Sequence, residues 1–197
     1  MAEGESNLES ILHQSWTDLE KATGEPNHPC RLGQLATVHA ERGVAVRTVV
    51  LRRVDRNTRR IFCFADARSE KIHEIEADPR VAWLSYDSMM RMQIRWSGRA
   101  NVIFDGDIVD DCWARLNETQ RDEYACAASP GTVLKEGWDR PGTPPVRLSP
   151  EESRRWFCLI EICVNRLDWL QLNPTGHLRA RFKWEPTGTL HSTWVVP

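Results

Sequence analysis

Arg68, Ser69 and Lys71 stand together in "ARSEK", after the apolar run "RIFCFA" and at the start of a helix-like run, "KIHEIEAD", that stops before Pro79. The amino end of a helix carries the positive pole of its dipole, so a cation there costs about 0.3–1 kcal/mol unless it faces solvent or an anion. A serine hydroxyl and free backbone amides beside a lysine would make such an anion site. Arg47, in "VAVRTVVL", shares a strand face with Ala45, Val49 and Leu51. An arginine on an apolar face is rarely buried alone. It pairs with a carboxylate such as Glu161, snorkels to the surface, or meets a bound anion or polar heterocycle. Arg52 falls on the opposite face of an ideal strand, so it reads as a solvated strand end, and it joins Arg47 at one ligand only near a strand end or bulge. Gln93 and Arg95 alternate with Met92, Ile94 and Trp96; their face is either simply wet or lies against a ligand that crosses the sheet. In "HLRARFKW", His177, Arg179, Arg181 and Lys183 share one face. That pattern suits an exposed edge strand guarded by charge, or a strand from which an arginine fork grips a phosphate. Together Arg47, Arg68, Ser69, Lys71 and Arg181 are the set a phosphate asks for.

Other chemistries lack their residues. There is no G-x-G-x-x-G and no G-x-x-x-x-G-K-[ST], so a nucleotide is not held by a Rossmann turn or a P-loop. There is no G-x-S-x-G and no H-E-x-x-H. Without an obvious nucleophile or general base, the chemistry expected is that of a cofactor. The six cysteines form no C-x-x-C pair and do not cluster with histidines, which argues against structural zinc. Cys63, Cys158 and Cys163 read as small buried hydrophobes. Reduced thiols, an acidic N-terminus without signal-peptide pattern and no apolar run of membrane-spanning length give the expectation of a cytoplasmic protein with no membrane partner. A net charge of -2 argues against nucleic acid as partner, despite the basic strands; that reading would require steeply salt-dependent binding.

These residues must be positioned by a β-rich frame. The 197 residues suit one domain, 1–197. It opens with an N-terminal helix over 1–22, whose Leu8, Ile11, Leu12, Trp16 and Leu19 share a stripe. Strands follow at "GQLATVHA", "VAVRTVVLRRV" and "IFCFA", the first two joined by a turn at Glu41-Arg42-Gly43. A helix spans 67–78. "RVAWLSYD" and "RMQIRWSGRANVIF" are the next strands, with a bulge or bend expected at Gly98. "DGDIVDDCWARL" reads as a helix, and 129–149 is a Pro/Gly-rich excursion. Ser149-Pro150-Glu151-Glu152 is a helix start, with Ser at the N-cap, Pro at N1 and Glu at N3. "WFCLIEICV", "RLDWLQL", "HLRARFKW" and "STWVV" close the chain as four strands. Strand after strand without an intervening helix predicts a mainly β fold, an antiparallel barrel with peripheral helices, rather than a doubly wound sheet.

The order of these motifs is similar to that of a known family. "RTVVLR" (47–52), "SEKIHEIEADPRVAWL" (69–84), "MQIRWSGRA" (92–100) and "LDWLQL…HLRARF" (167–182) resemble the pyridoxamine 5'-phosphate oxidase-related, flavin mononucleotide (FMN) binding split barrels, over about residues 31 to 184. The match is nearest a subgroup of poorly defined activity. It carries Asp66-Ala67-Arg68-Ser69-Glu70-Lys71 as "DxRSxK", with Trp113, Arg121 and Pro130-Gly131 as a later signature. The resemblance implies a Greek-key-like split barrel, a homodimer with FMN at its interface, and hydride transfer to FMN from an unknown small substrate. It implies that Arg47, Thr48, Val49, Val50 and Arg52, with Phe64 and Ala65, line the flavin. Ser69 and Lys71, with Arg68, would hold its phosphate, while Gln93, Arg95 and Arg181 would approach from other strands. The nine tryptophans agree with a dimer, since tryptophan is enriched in interface cores.

The chain also departs from the family's oxidase. Glu70 stands in the middle of that enzyme's Ser-Arg-Lys, and Arg52 replaces a lysine. Phe64-Ala65 replaces Tyr-Thr, so a hydroxyl contact is lost. Leu170 stands in the register of a flavin-side tryptophan. The substrate-binding Arg-x-His-Asp-Arg is His177-Leu178-Arg179-Ala180-Arg181 here, leaving His177, Arg179 and Arg121 as candidates for a different substrate. The competing reading is a non-catalytic module of the same fold that holds FMN or haem.

Overall fold

The computed structural model describes residues 2–133 and 146–197. Six strands close into an antiparallel barrel: β1 (Leu32–His39), β2 (Gly43–Asp55), β3 (Arg60–Asp66), β4 (Arg80–Asp87), β5 (Met92–Ile103) and β6 (Phe157–Gln171). They run β3-β2-β1-β4-β5-β6 in space, and β6 pairs back onto β3. β7 (Leu178–Trp184) and β8 (Leu190–Val195) extend the sheet from β6. The helices α1 (Ala2–Gly24), α2 (Glu70–Ala77), α3 (Asp107–Ala114), α4 (Glu118–Asp122) and α5 (Pro150–Arg154) lie around it. The mainly β barrel with peripheral helices is therefore the fold, and the β1–β2 hairpin turns where expected, with Gly43 at φ 78°.

The apolar alternation decides what fills the barrel. Leu35, Leu51, Ile61, Trp83, Ile94, Trp96, Ile160, Leu167 and Phe182 are fully or almost fully buried in one cluster. Leu8, Trp16 and Leu19 of α1 join it, and Trp16 packs on Trp96 with ring centroids 4.5 Å apart. A smaller cluster of Val109, Leu116, Tyr124, Phe157 and Leu159 seats α3 against the start of β6. Ser149 caps α5 with the expected reciprocal box. The short α4 was not foreseen, although Asn117 and Gln120 have the spacing of the same device and form it. Hydrogen bonds between Ala127 and Val146 and between Leu148 and Ala125 tie together the two ends of the 129–149 excursion; its centre, 134–145, lies outside the described residues.

Three expectations are corrected. "WFCLIEICV" and "RLDWLQL" are one 15-residue strand, β6. The polar Asn165-Arg166 that looked like a break is a bulge: the register passes from Ser97↔Arg166 to Gly98↔Val164. The bulge lets the first half of β6 pair with β3 and the second half with β7. Second, β7 is not an edge strand, because β8 covers it; among the described residues β8 has the single neighbour. Third, Cys163 is exposed beside the bulge, whereas Cys63 and Cys158 are buried as expected; all six cysteines are free. Among the described residues no helix is long and apolar enough to cross a membrane, and no cluster of His, Cys, Asp or Glu could hold a metal.

Gly98 was expected at a bulge, and the packing says why it is glycine. A Cβ there would lie 2.0 Å from the Cys163 carbonyl oxygen, a backbone atom that cannot rotate away. Gly98→Ala is expected to destabilise the protein by about 1–3 kcal/mol, as overpacking does. Urea denaturation would register this as a lower midpoint with an unchanged slope.

Candidate functional site

A cleft of about 270 Å³ opens beside β2, β3 and the start of α2. Arg47, Thr48, Val49, Val50, Arg52, Phe64, Ala65 and Lys71, all expected at one site, line it. Asp66, Glu123 and Tyr124 complete the wall. The meeting of Arg47 and Arg52 depends on the condition anticipated for it. The β2–β3 register shifts between Leu51 and Arg53, and Arg52, at this bulge, lines the same cleft as Arg47. Arg52 then stands over the Phe64 ring, 5.1 Å from its centroid. Its Nε is buried without a hydrogen-bond partner.

Arg47 resolves differently from its expected pairing with Glu161. Its guanidinium donates to Glu74 Oε2 of α2 at 2.7 Å and to Thr37 Oγ1 on β1, and Thr37 in turn donates to the same carboxylate. Glu161 belongs to Arg60, at 2.9 Å. Burial pushes the Glu74 carboxyl up, but hydrogen bonds from Thr37 and Arg47 outweigh it and hold the pKa below the ordinary value. Glu74 thus ties the cleft arginine to the helix whose first turn carries Lys71.

The pair at the helix start separates in role. Arg68 does not line the cleft. Its Nε and one Nη donate to the two Asp66 carboxylate oxygens at 2.9 and 2.5 Å, and the other Nη donates to the Cys126 and Ala127 carbonyls. The group lies over Trp156, 4.6 Å from the ring centroid. Its fork is taken up by Asp66, two residues upstream, and Arg68 thereby pins the base of the 129–149 excursion to the barrel. Ser69 is the α2 N-cap residue, but its hydroxyl donates to the Asp66 carbonyl and accepts from Lys71 Nζ at 2.8 Å. Lys71 has no carboxylate partner among the described residues. Burial pushes its ammonium below the ordinary lysine value. The thiols behind it, Cys63 and Cys158, are pushed up to about 12 by burial and stay neutral, so they supply no counter-charge.

Of the cations on the cleft, Arg47 is balanced by Glu74, while Lys71 and Arg52 are unbalanced; the cleft carboxylate Asp66 is taken by Arg68, and Glu123 sits exposed on the wall. Two cations against the single exposed carboxylate of Glu123 leave the cleft a net charge of +1, and one of them has an unpartnered buried N–H, which suits a phosphate.

Gln93, Arg95 and Arg181 do not line this cleft. Arg95 and Arg181 flank Asp168 across the sheet, on β5 and β7. Asp168 is 2 % exposed and accepts from Arg95 at 3.1 Å, from Arg179 twice at 2.9 Å and from Arg181 at 3.0 Å. Three arginines on one carboxylate leave a net charge of +2 on that face, with Gln93 two residues from Arg95. His177 Nδ1 accepts from the Asn173 amide in the preceding turn. Arg121 sits elsewhere, donating to the Trp113 and Ala114 carbonyls that end α3. Asp168 was missed; its signal was a single acid in the otherwise apolar "LDWL".

Burial raises the Asp168 pKa, but the hydrogen bonds of Arg179 and Arg181 and the field of Arg95 more than offset that and depress it. A depressed carboxylate stabilises the fold above its unfolded pKa, about 3.9, and that contribution is lost as pH falls through the folded value. Acidification from pH 7 to 3 should therefore cost the wild type more stability than Asp168→Asn, measured by urea denaturation at both pH values.

Residues 13–104 match the family model described as the pyridoxamine 5'-phosphate oxidase FMN-binding domain. That match holds the β2, β3 and α2 residues of the cleft with Gln93 and Arg95, and stops short of Glu123, Tyr124, Asp168 and Arg181. No curated protein matches significantly. Among solved structures, a pyridoxamine 5'-phosphate oxidase-related, FMN-binding protein from Nostoc punctiforme PCC 73102 superposes with a TM-score of 0.73 at 24% identity, covering 95% of this chain and 96% of its own. PhzG from Burkholderia lata 383, solved with tetrahydrophenazine-1-carboxylic acid, gives 0.71 at 18% identity over 95% and 91% of the two chains. At these identities the structures speak to the fold.

Proposed function

We propose, for a chain that belongs to the pyridoxamine 5'-phosphate oxidase-related split barrels, that the β2–α2 cleft binds FMN and that the protein is an FMN-dependent oxidoreductase. The observation that carries this is the pair of unbalanced cations, Lys71 and the bulged Arg52 with its unpartnered Nε, in a cleft of a domain whose family binds FMN. Lys71, with the Ser69 hydroxyl beside it, receives the phosphate. The β2 segment Arg47–Val50 and the Phe64-Ala65 pair bound the ring system, and the Arg47–Glu74 pair keeps that wall fixed. FMN, when bound, accepts a hydride equivalent from a reduced substrate and passes the electrons on. No side chain of the cleft is needed as nucleophile.

The second half of the site comes from a second copy of the chain. Gln93, Arg95 and Arg181 lie on the +2 face around Asp168 and need an anion they do not have. Val44 and Val46, on the strand that lines the cleft, are 72% and 61% exposed, an apolar strip of the kind that marks a contact surface. A two-fold dimer would bring the arginine face of one protomer to the cleft of the other. Light scattering of the FMN-loaded protein should report twice the 22.7 kDa chain mass; a monomer at micromolar concentration would remove Gln93, Arg95 and Arg181 from the site.

The substrate is not pyridoxamine 5'-phosphate. Arg179 commits its fork to Asp168, and His177 accepts from a backbone amide. The same commitment of Arg179 favours the second reading, a non-catalytic FMN carrier. Oxygen consumption and pyridoxal 5'-phosphate formation by the FMN-loaded protein decide the first point. Turnover should stay below about 1 s⁻¹, the lower end for ordinary enzymes, and faster turnover would contradict it. Bleaching of bound FMN by candidate donors, followed by reoxidation in air, separates enzyme from carrier.

A further inference from the structure

We propose that the protein has a second anion site, for a small diphosphate-bearing ligand, in the cleft between the β3 turn, the β5–β6 bulge and the end of β7. The cleft has a volume of about 370 Å³ and shares no residue with the β2–α2 cleft. The two sit at opposite ends of the seven-residue β3, roughly 20 Å apart at ~3.3 Å per residue.

Its walls are cationic: Arg59, Arg99, Arg166 and Lys183 line it. The carboxylates close to these groups are already committed. Glu185 is held by Lys183 at 2.8 Å, Glu161 by Arg60 at 2.9 Å and Asp78 by Arg80 at 2.5 Å. Arg59, Arg99 and Arg166 are left without a carboxylate among the described residues. Three guanidiniums around one concavity repel one another, and their charge matches the roughly three negative charges of a diphosphate. A flat basic patch would serve a long polyanion; a recess of this volume, in the range of small-molecule sites, fits a small one.

Two features of Arg59 make the arrangement more than a surface coincidence. Its Nε is buried and has no hydrogen-bond partner, a donor held out of water and unused. Its backbone is in the left-handed region, at φ 55°, where glycine is the easy residue and a side chain is strained. The Asp55–Arg60 turn thus carries a strained residue whose side chain is laid over the Trp184 ring, 5.6 Å from its centroid, at the cleft. Backbone strain of this kind persists where something else over-determines it.

Calorimetric titration of inorganic pyrophosphate into the FMN-saturated protein, at 0.15 M salt, tests the site. Arg59→Gly is the informative variant, because glycine relieves the positive φ and so preserves the turn. Saturable binding at one pyrophosphate per chain is expected, weakened at least tenfold in Arg59→Gly and in Arg166→Gln and unchanged in Lys71→Ala. Absence of saturable binding, equal affinity in Arg59→Gly, or loss of binding in Lys71→Ala would each overturn the proposal, the last by placing the ion in the β2–α2 cleft.

Discussion

Replacing Lys71 by alanine should weaken FMN binding roughly ten- to hundredfold. The loss is that of one charge-assisted hydrogen bond to the phosphate, about 1.5–3 kcal/mol, at tenfold per 1.4 kcal/mol. The fold should hold, since Lys71 has a single hydrogen bond, to the Ser69 hydroxyl, and no ion pair. Removing it even relieves a desolvated ammonium. The same burial gives the effect a pH signature. Lys71 titrates below the ordinary lysine value, so wild-type affinity should fall as the pH rises through that depressed value, and the alanine variant should lack this limb. Titration of FMN into apo Lys71→Ala, followed by flavin fluorescence, measures both; unchanged affinity would put the phosphate elsewhere.

Glu74→Gln should damage the site from behind its wall. Glu74 is 3% exposed and accepts from both Arg47 and Thr37. Breaking a buried pair from one side strands the other charge at a cost of about 3–5 kcal/mol. The lower end applies, because about a quarter of the Arg47 side chain remains exposed and can regain water. At roughly 2–4 °C per kcal/mol for a chain of this size, the melting temperature should fall by about 6–12 °C. FMN affinity should fall with it, since α2 and β2 lose the link that fixes Lys71 opposite Arg47. A variant as stable as the wild type would show that Glu74 does not brace the cleft.

The residues that the sequence revealed are those whose signal is local. Arg47 stood out as a cation on an apolar strand face, and Lys71 as a cation in the first turn of a helix; each needs only the neighbouring few residues to be odd. The barrel was legible for the same reason, through period-two alternation and the lack of crossover helices. What escaped depended on partners far along the chain. Arg52 was expected at the site only near a strand end or bulge, and whether β2 bulges against β3 beside it is a matter of pairing that alternation alone cannot fix. The Asn165 bulge hid the continuity of β6, because two adjacent polar residues look like a turn. Arg68 was read as a phosphate ligand although Asp66, two residues before it, was the nearer anion. Arg179 and Arg181 were read as charges guarding an edge strand or reaching a ligand, and the anion beside them, Asp168, lies 11 and 13 residues earlier on the neighbouring strand.

The most direct test is a comparison of FMN with riboflavin by visible absorption, titrated into the apo protein. The two share the ring system and differ at the phosphate, the group that Lys71 and Arg52 are assigned to meet. FMN is predicted to bind saturably at one per chain, with a shifted flavin spectrum, and riboflavin at least tenfold more weakly. Failure of FMN to bind at about 1 mM, where only some 4 kcal/mol of binding free energy is required, or equal affinity for the two flavins, would contradict the assignment.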